Sequence, residues 1–248
     1  MTHCSLEFRL TRQAAAHIRT AFIALFCLLA VTRGAVASTI TLEFMGEGQR
    51  GIVGIHSAGL GNVTVYAGEL LWKLQGTSNV FYTYCVDANN WALYTQTVEQ
   101  KPASQLATTA ADGGAKAAWL VNNFAPGIHS SMSATAGIQA AGLQVAIWEA
   151  LYDNAPNLNL NSGAFYLLGN TPAAIRTAAL EYLDALFYAG LSNTATYRTA
   201  NGLFYDAPLG MGQDQMAPVP NPEPASLVLL GTGLAAAAAA RRRKRRSE

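Results

Sequence analysis

The hydrophobic pattern of this chain changes period near residue 110, and that change limits the folds open to it. Before it, apolar and polar residues alternate. "STITLEF" (38–44), "GNVTVYAGELLWKL" (61–74) and "NVFYTYCVDA" (79–88) are rich in β-branched and aromatic residues and read as strands. Glycines at 46, 48, 51, 54, 59, 61, 68 and 76 punctuate this half with turns and bulges. After it, alanine-rich stretches predict helices. These are "GGAKAAWLVNNF" (113–124) and "SATAGIQAAGLQVAIWEALYD" (133–153), the second with Leu143, Ile147 and Leu151 on one stripe. A third helix is framed by Thr171 as N-cap, Pro172 at N1 and Gly190 at C′, with Ile175, Ala179, Tyr182, Leu183 and Leu186 inward. "TATYRTANGLFYDAP" (194–208) returns to a strand pattern. Strands, helices and a closing strand together predict an α+β class: a β-rich, sandwich- or barrel-like domain over 38–205 with a helical insertion. The stretch 206–221, rich in Pro, Gly and Gln, reads as a linker with little to bury.

Both ends differ from this middle. Arg9, Arg12 and Arg19 precede the apolar run "AFIALFCLLAV" (21–31), and Ala35-Val36-Ala37 then supplies an A-x-A site. That order predicts a secretory signal peptide over 1–37, cut by signal peptidase after Ala37. Phe26 before Cys27 is too bulky for a lipoprotein anchor. At the other end, residues 225–240 carry no charge, and at about 1.5 Å per residue they span roughly 24 Å of helix, short of the roughly 30 Å hydrocarbon core. Six consecutive alanines make this span weakly hydrophobic, suited to pausing in the inner membrane rather than staying there. Arg241, Arg242, Arg243, Lys244, Arg245 and Arg246 form a stop-transfer flank that stays on the cytoplasmic side. Pro218, Pro220, Pro222 and Pro224 hold the preceding backbone extended and open to an enzyme.

Charge excludes one class of partner. Residues 38–221 contain six Lys/Arg (Arg50, Lys73, Lys101, Lys116, Arg176, Arg198) against twelve Asp/Glu, a net −6 although the whole chain is +1. Such a surface repels nucleic acid.

The triplet Pro222-Glu223-Pro224, the short apolar span and the terminal basic cluster resemble, in that order, the PEP-CTERM sorting signal over 222–248. That resemblance implies a single-span sorting helix and processing by exosortase, a membrane protease-transpeptidase. It further implies a cell-surface or extracellular destination in a Gram-negative cell, often one that makes exopolysaccharide or biofilm.

Cys4 and Cys27 fall in the expected signal peptide, which leaves Cys85 alone in the exported region, unable to form an internal disulfide. One reading is a buried small hydrophobe. The other starts from "YCVD" (84–87) and "LQVAIW" (143–148), which resemble the two motifs of bacterial thioester domains. These are an aromatic-Cys-aliphatic-Asp/Asn stretch ending a strand and a Thr-Gln-x-Ala-Ile/Val-Trp stretch on a helix. The resemblance implies a bond from the Cys85 sulfur to the Gln144 side-chain carbonyl with loss of ammonia, surrounded by Tyr84, Asp87 and Trp148. Leu143 stands where that family has Thr.

A thioester must be kept dry, and Phe81, Tyr82, Tyr84 and Trp148 are candidates for its wall, with Asp87 bonding local backbone or orienting a nucleophile. Gln139 is a competing partner in the same helix, though no Ala-Ile-Trp follows it. His56 and His129 have no ligand-spaced partner, so neither a metal site nor a catalytic triad is expected. Glu149 and Asp153 share a helical face and are expected to be solvated or capping. Two functions follow from these readings. One is a single-use adhesin that bonds covalently to an amine or hydroxyl on its target; the other is a non-covalent structural or exopolysaccharide-associated matrix protein with a buried free cysteine. Neither is a turnover enzyme, and neither calls for a cofactor.

Overall fold

The computed structural model describes residues 39–153, 159–192, 202–208 and 211–219. The expected signal peptide, Pro222-Glu223-Pro224, the apolar span and the basic cluster 241–246 lie outside the described residues. Among the described residues there are seven strands: β1 (Thr39–Ser57), β2 (Gly61–Leu74), β3 (Val80–Cys85), β4 (Thr95–Pro102), β5 (Phe165–Leu167), β6 (Leu203–Asp206) and β7 (Gln215–Ala217). Three α-helices are described between β4 and β6, α1 (Gly113–His129), α2 (Ala136–Tyr152) and α3 (Ala173–Ser192), with β5 among them. The domain is therefore mixed α+β.

Every strand pairing is antiparallel, and the pairings close on themselves. β1 pairs β2, β2 pairs β3, β3 pairs β7, β7 pairs β6, β6 pairs β4, and β4 returns to β1. Only β5 lies off this circuit, on the far half of β1. Closure leaves an interior that side chains must fill. Leu42, Trp72 and Val98 fill it, with Ile40, Phe44, Leu70, Phe81 and Tyr205 packed against them. Buried Thr83, on the same face of β3 as Phe81, donates to Gln215 Oε1 at 2.9 Å, whereas the indole Nε1 of Trp72 has no hydrogen-bond partner.

Two strands differ from the sequence reading. β1 runs on through glycines expected to interrupt it. Gly46, at φ 126°, does sit at a bulge between Phe44 and Gly46. Gly51, by contrast, lies within the strand, where an added Cβ would stand 2.8 Å from Ile175 Cδ1 and 3.0 Å from Ala141 Cβ. Its missing side chain lets helices approach the sheet. β7 arises inside the expected linker 206–221, and the domain does not stop at 205. Gln215 and Met216 are fully buried, because the ring cannot close between β3 and β6 without a strand there. The polar composition of that stretch hid it.

α2 packs against β1, β2, α1 and α3. Each residue from Ala140 to Leu151 is buried, so the expected apolar stripe is part of a helix enclosed on every side. Gly142 permits this, since a Cβ there would come within 2.6 Å of Ala178 Cβ and 3.0 Å of Ala179 N. α1 continues past its expected end, through Pro126 to His129, with Ala125 and Ile128 buried to hold the last turn. α3 starts at Ala173 and runs beyond Gly190 to Ser192. Thr171 ties its start to β1: its Oγ1 accepts from Gly54 N at 3.0 Å and donates to Gly54 O at 2.8 Å.

Candidate functional site

Alternation along β3 puts Phe81, Thr83 and Cys85 on one face and Tyr82 and Tyr84 on the other. The β2–β3 ladder stops at Thr83, two residues before Cys85 ends the strand. Beyond that point a side chain takes over. Gln144, buried in the middle of α2, accepts from Cys85 N through Oε1 at 2.9 Å and donates through Nε2 to Cys85 O at 2.7 Å. The primary amide thus satisfies both backbone groups of Cys85 and fixes its own carbonyl beside that residue. Gln139 is exposed, and α2 presents Gln144 in its place.

The Cys85 thiol donates to Asp87 O at 2.9 Å, while Asp87 N donates back to the sulfur at 3.3 Å. Burial, and after it the Asp87 carboxylate, pushes the thiol well above its ordinary value; the Asp87 N–H and the Trp148 indole oppose the shift. The indole Nε1 is buried without a hydrogen bond of ordinary geometry, which leaves it able to meet charge developing on the sulfur. Asp87 bonds its own loop: Oδ1 accepts from Asn89 N at 2.8 Å and Oδ2 from Asn90 Nδ2 at 2.6 Å. Tyr152 steadies the same loop by accepting from Ala88 N at 3.0 Å.

Cys85, Gln144 and Trp148 line a cavity of about 300 Å³. Of the four aromatics expected to keep the site dry, only Trp148 lines it. Phe81 lies in the ring interior near Tyr205, with ring centroids 5.6 Å apart. Tyr82 faces α1 and stacks on His129 at 3.9 Å, and Tyr84 is buried in the main core. The period of two turns Tyr82 and Tyr84 away from Cys85, while Phe81 shares its face but lies four residues back, inside the ring. Phe44, Tyr66, Trp91 and Tyr94 form the wall instead. These four, and Gln213 beside them, carry no motif. Only the bulge in β1 and the loop after Cys85 bring them to one place, though the exposed pairing of Trp91 and Tyr94 in a short loop was a usable signal.

The remaining candidates are dispersed. His56 shares a hydrogen bond of 2.7 Å with Asn62 Oδ1 and stacks on Tyr166, and His129 pairs with buried Glu69 at 3.1 Å. Asp153 accepts from Ala164 N at 2.9 Å and Phe165 N at 3.2 Å, an anchoring role for β5. Glu149 is not solvated, contrary to expectation: it is fully buried, since α2 is enclosed on every face. Burial, with a smaller contribution from Asp153, raises its carboxyl to about 8. An acid raised on folding binds its proton more tightly in the folded state, so stability falls as pH rises from the unfolded value, about 4.3, towards 8. Glu149→Gln should remove this penalty and raise Tm more at pH 8 than at pH 5. An equal shift at both values in thermal melts would contradict the assignment.

Comparison with known proteins bears on the C-terminal tail. Residues 222–244 match the PEP-CTERM protein-sorting motif. No curated protein and no solved structure matches the chain. The motif supports an exported protein sorted by exosortase to the cell surface or extracellular space. Among the described residues no helix is long and apolar enough to cross a membrane.

Proposed function

We propose that Cys85 and Gln144 condense to an internal thioester through which this exported protein bonds covalently to a surface or matrix target, acting once rather than turning over. The observation that carries this reading is the pair of hydrogen bonds, 2.9 and 2.7 Å, that holds the Gln144 amide against the Cys85 backbone. Holding the amide against the backbone of the residue that carries the thiol keeps the two groups together and lowers the entropic cost of their reaction.

In the condensation the Cys85 sulfur bonds to the Gln144 acyl carbon, the C–N bond breaks, and the thiol proton leaves on ammonia. Cys85 N–H already donates to Gln144 Oε1, so it is positioned to stabilise the oxyanion of the tetrahedral intermediate. An incoming amine or hydroxyl then bonds to the same carbon. The C–S bond breaks, and the departing sulfur receives the nucleophile's proton, with Asp87 N–H at 3.3 Å and the Trp148 indole to meet its charge. Leu143, in the position of the family's Thr, is fully buried in the core, so this mechanism calls on no hydroxyl there. Intact mass before and after methylamine separates this reading from a matrix protein whose Cys85 stays a free thiol.

Sorting has its own test. On this reading exosortase recognises the triplet Pro222-Glu223-Pro224 while the uncharged span 225–240 pauses in the inner membrane. Changing Pro222 and Pro224 to Ala should give a longer, membrane-retained species on immunoblots of fractionated cells. Unchanged processing in a host that has exosortase would eliminate this role for the triplet.

A further inference from the structure

Three aromatic side chains stand unusually open at the cavity that ends on Cys85: Tyr66 is 56%, Trp91 54% and Tyr94 85% exposed, while Phe44 lies behind Tyr94 with ring centroids 6.2 Å apart. Large exposed rings gathered at one pocket mark a ligand surface. The charge of the lining narrows the class. Glu47 is its single carboxylate and pairs with Arg50 at 2.6 Å, while the Arg50 guanidinium lies 4.0 Å over the Tyr66 ring. No charge in the lining is left uncompensated, which disfavours an anion or a free ammonium. The amides of Asn90 and Gln213 line the same cavity, and they disfavour a wholly apolar ligand.

Flat apolar faces beside neutral amides suit one common chemistry. A hexose ring presents C–H groups to an aromatic face and hydroxyls around its edge. We propose that this cavity binds a neutral hexose-based glycan, seated on Trp91 and Tyr94, and that one of its hydroxyls is the nucleophile delivered to the Gln144 acyl carbon. In that step the hydroxyl oxygen bonds to carbon, the C–S bond breaks, and the hydroxyl proton passes to the Cys85 sulfur, leaving an ester. The covalent step rests on the thioester reading; the sugar surface does not.

The test uses the full chain, exported and purified, together with Cys85→Ala, Trp91→Ala and Tyr94→Ala. Isothermal titration with cellohexaose, mannohexaose and maltohexaose, and with cadaverine as an amine probe, reads reversible binding. At least one hexasaccharide should bind both the wild type and Cys85→Ala, and Trp91→Ala or Tyr94→Ala should weaken it about tenfold or more. Both rings are largely solvated, so their loss should leave the melting curve in place, and that curve is recorded alongside. Binding of none of the three sugars, binding of cadaverine alone, or binding indifferent to both aromatic variants would overturn the proposal. Sugar binding by a protein that shows no loss of ammonia would keep the surface and remove the thioester. A methylamine-reactive protein that binds no sugar would do the reverse.

Discussion

Purified from residue 38 onward, the protein should weigh one ammonia less than its sequence and gain one methylamine on treatment with that amine. The effect is all-or-none, because Cys85 and Gln144 can form only one such bond in each molecule. Cys85→Ala should restore the full mass and abolish the reaction. That variant is a clean control, since both hydrogen bonds from Gln144 go to the Cys85 backbone and survive the loss of sulfur. Hydrolysis during purification would convert residue 144 to Glu, so the peptide containing it must be sequenced by mass. A full mass with Gln144 intact and one titratable thiol would sink the thioester. The amide pair would then be a structural tie between β3 and α2, worth about 1 kcal/mol for each hydrogen bond.

Trp72→Ala should cost about 3–5 kcal/mol, the largest loss expected from any single truncation in the ring. Trp72 is fully buried, packs edge-on to Phe44 at 5.3 Å and shares the interior with Leu42 and Val98. Those neighbours belong to strands of a closed circuit, which cannot move in to fill the void without breaking its pairings. Trp72→Phe should cost far less, because the buried indole Nε1 has no hydrogen-bond partner to lose. Urea denaturation of both variants measures the difference. A loss under about 1 kcal/mol for Trp72→Ala would mean that the ring interior is not a packed core.

Local pattern was enough to read several elements. Alternation in 61–74 gave β2 its bounds, and β3 lay within 79–88, because both strands have one face in an apolar core. β4 was not legible: its buried members, Gln96 and Val98, pair a polar with an apolar residue, so the alternation vanishes. Gln96 tolerates burial by donating through Nε2 to Gln213 O at 3.0 Å, a partner more than a hundred residues away. β7 was missed for the same reason. Its Gln215 is buried against Thr83, and nothing in a Pro- and Gly-rich neighbourhood announces that contact.

Cys85 and Gln144 could be singled out from the sequence because their two short motifs resemble those of thioester domains, and the fold brings the two residues into hydrogen-bond contact. The sorting triplet could be singled out because the motif is a short run of residue types in a fixed order, which needs no tertiary contact to be recognised. The walls of the cavity could not. Phe44, Tyr66, Trp91 and Tyr94 come from β1, β2 and the loop after β3, and ring closure with the bulge at Gly46 brings them together. Short local motifs thus pointed to Cys85, Gln144 and the sorting tail. Tertiary packing decided what surrounds them, because whether a ring is buried, exposed or turned towards Cys85 depends on partners distant in sequence.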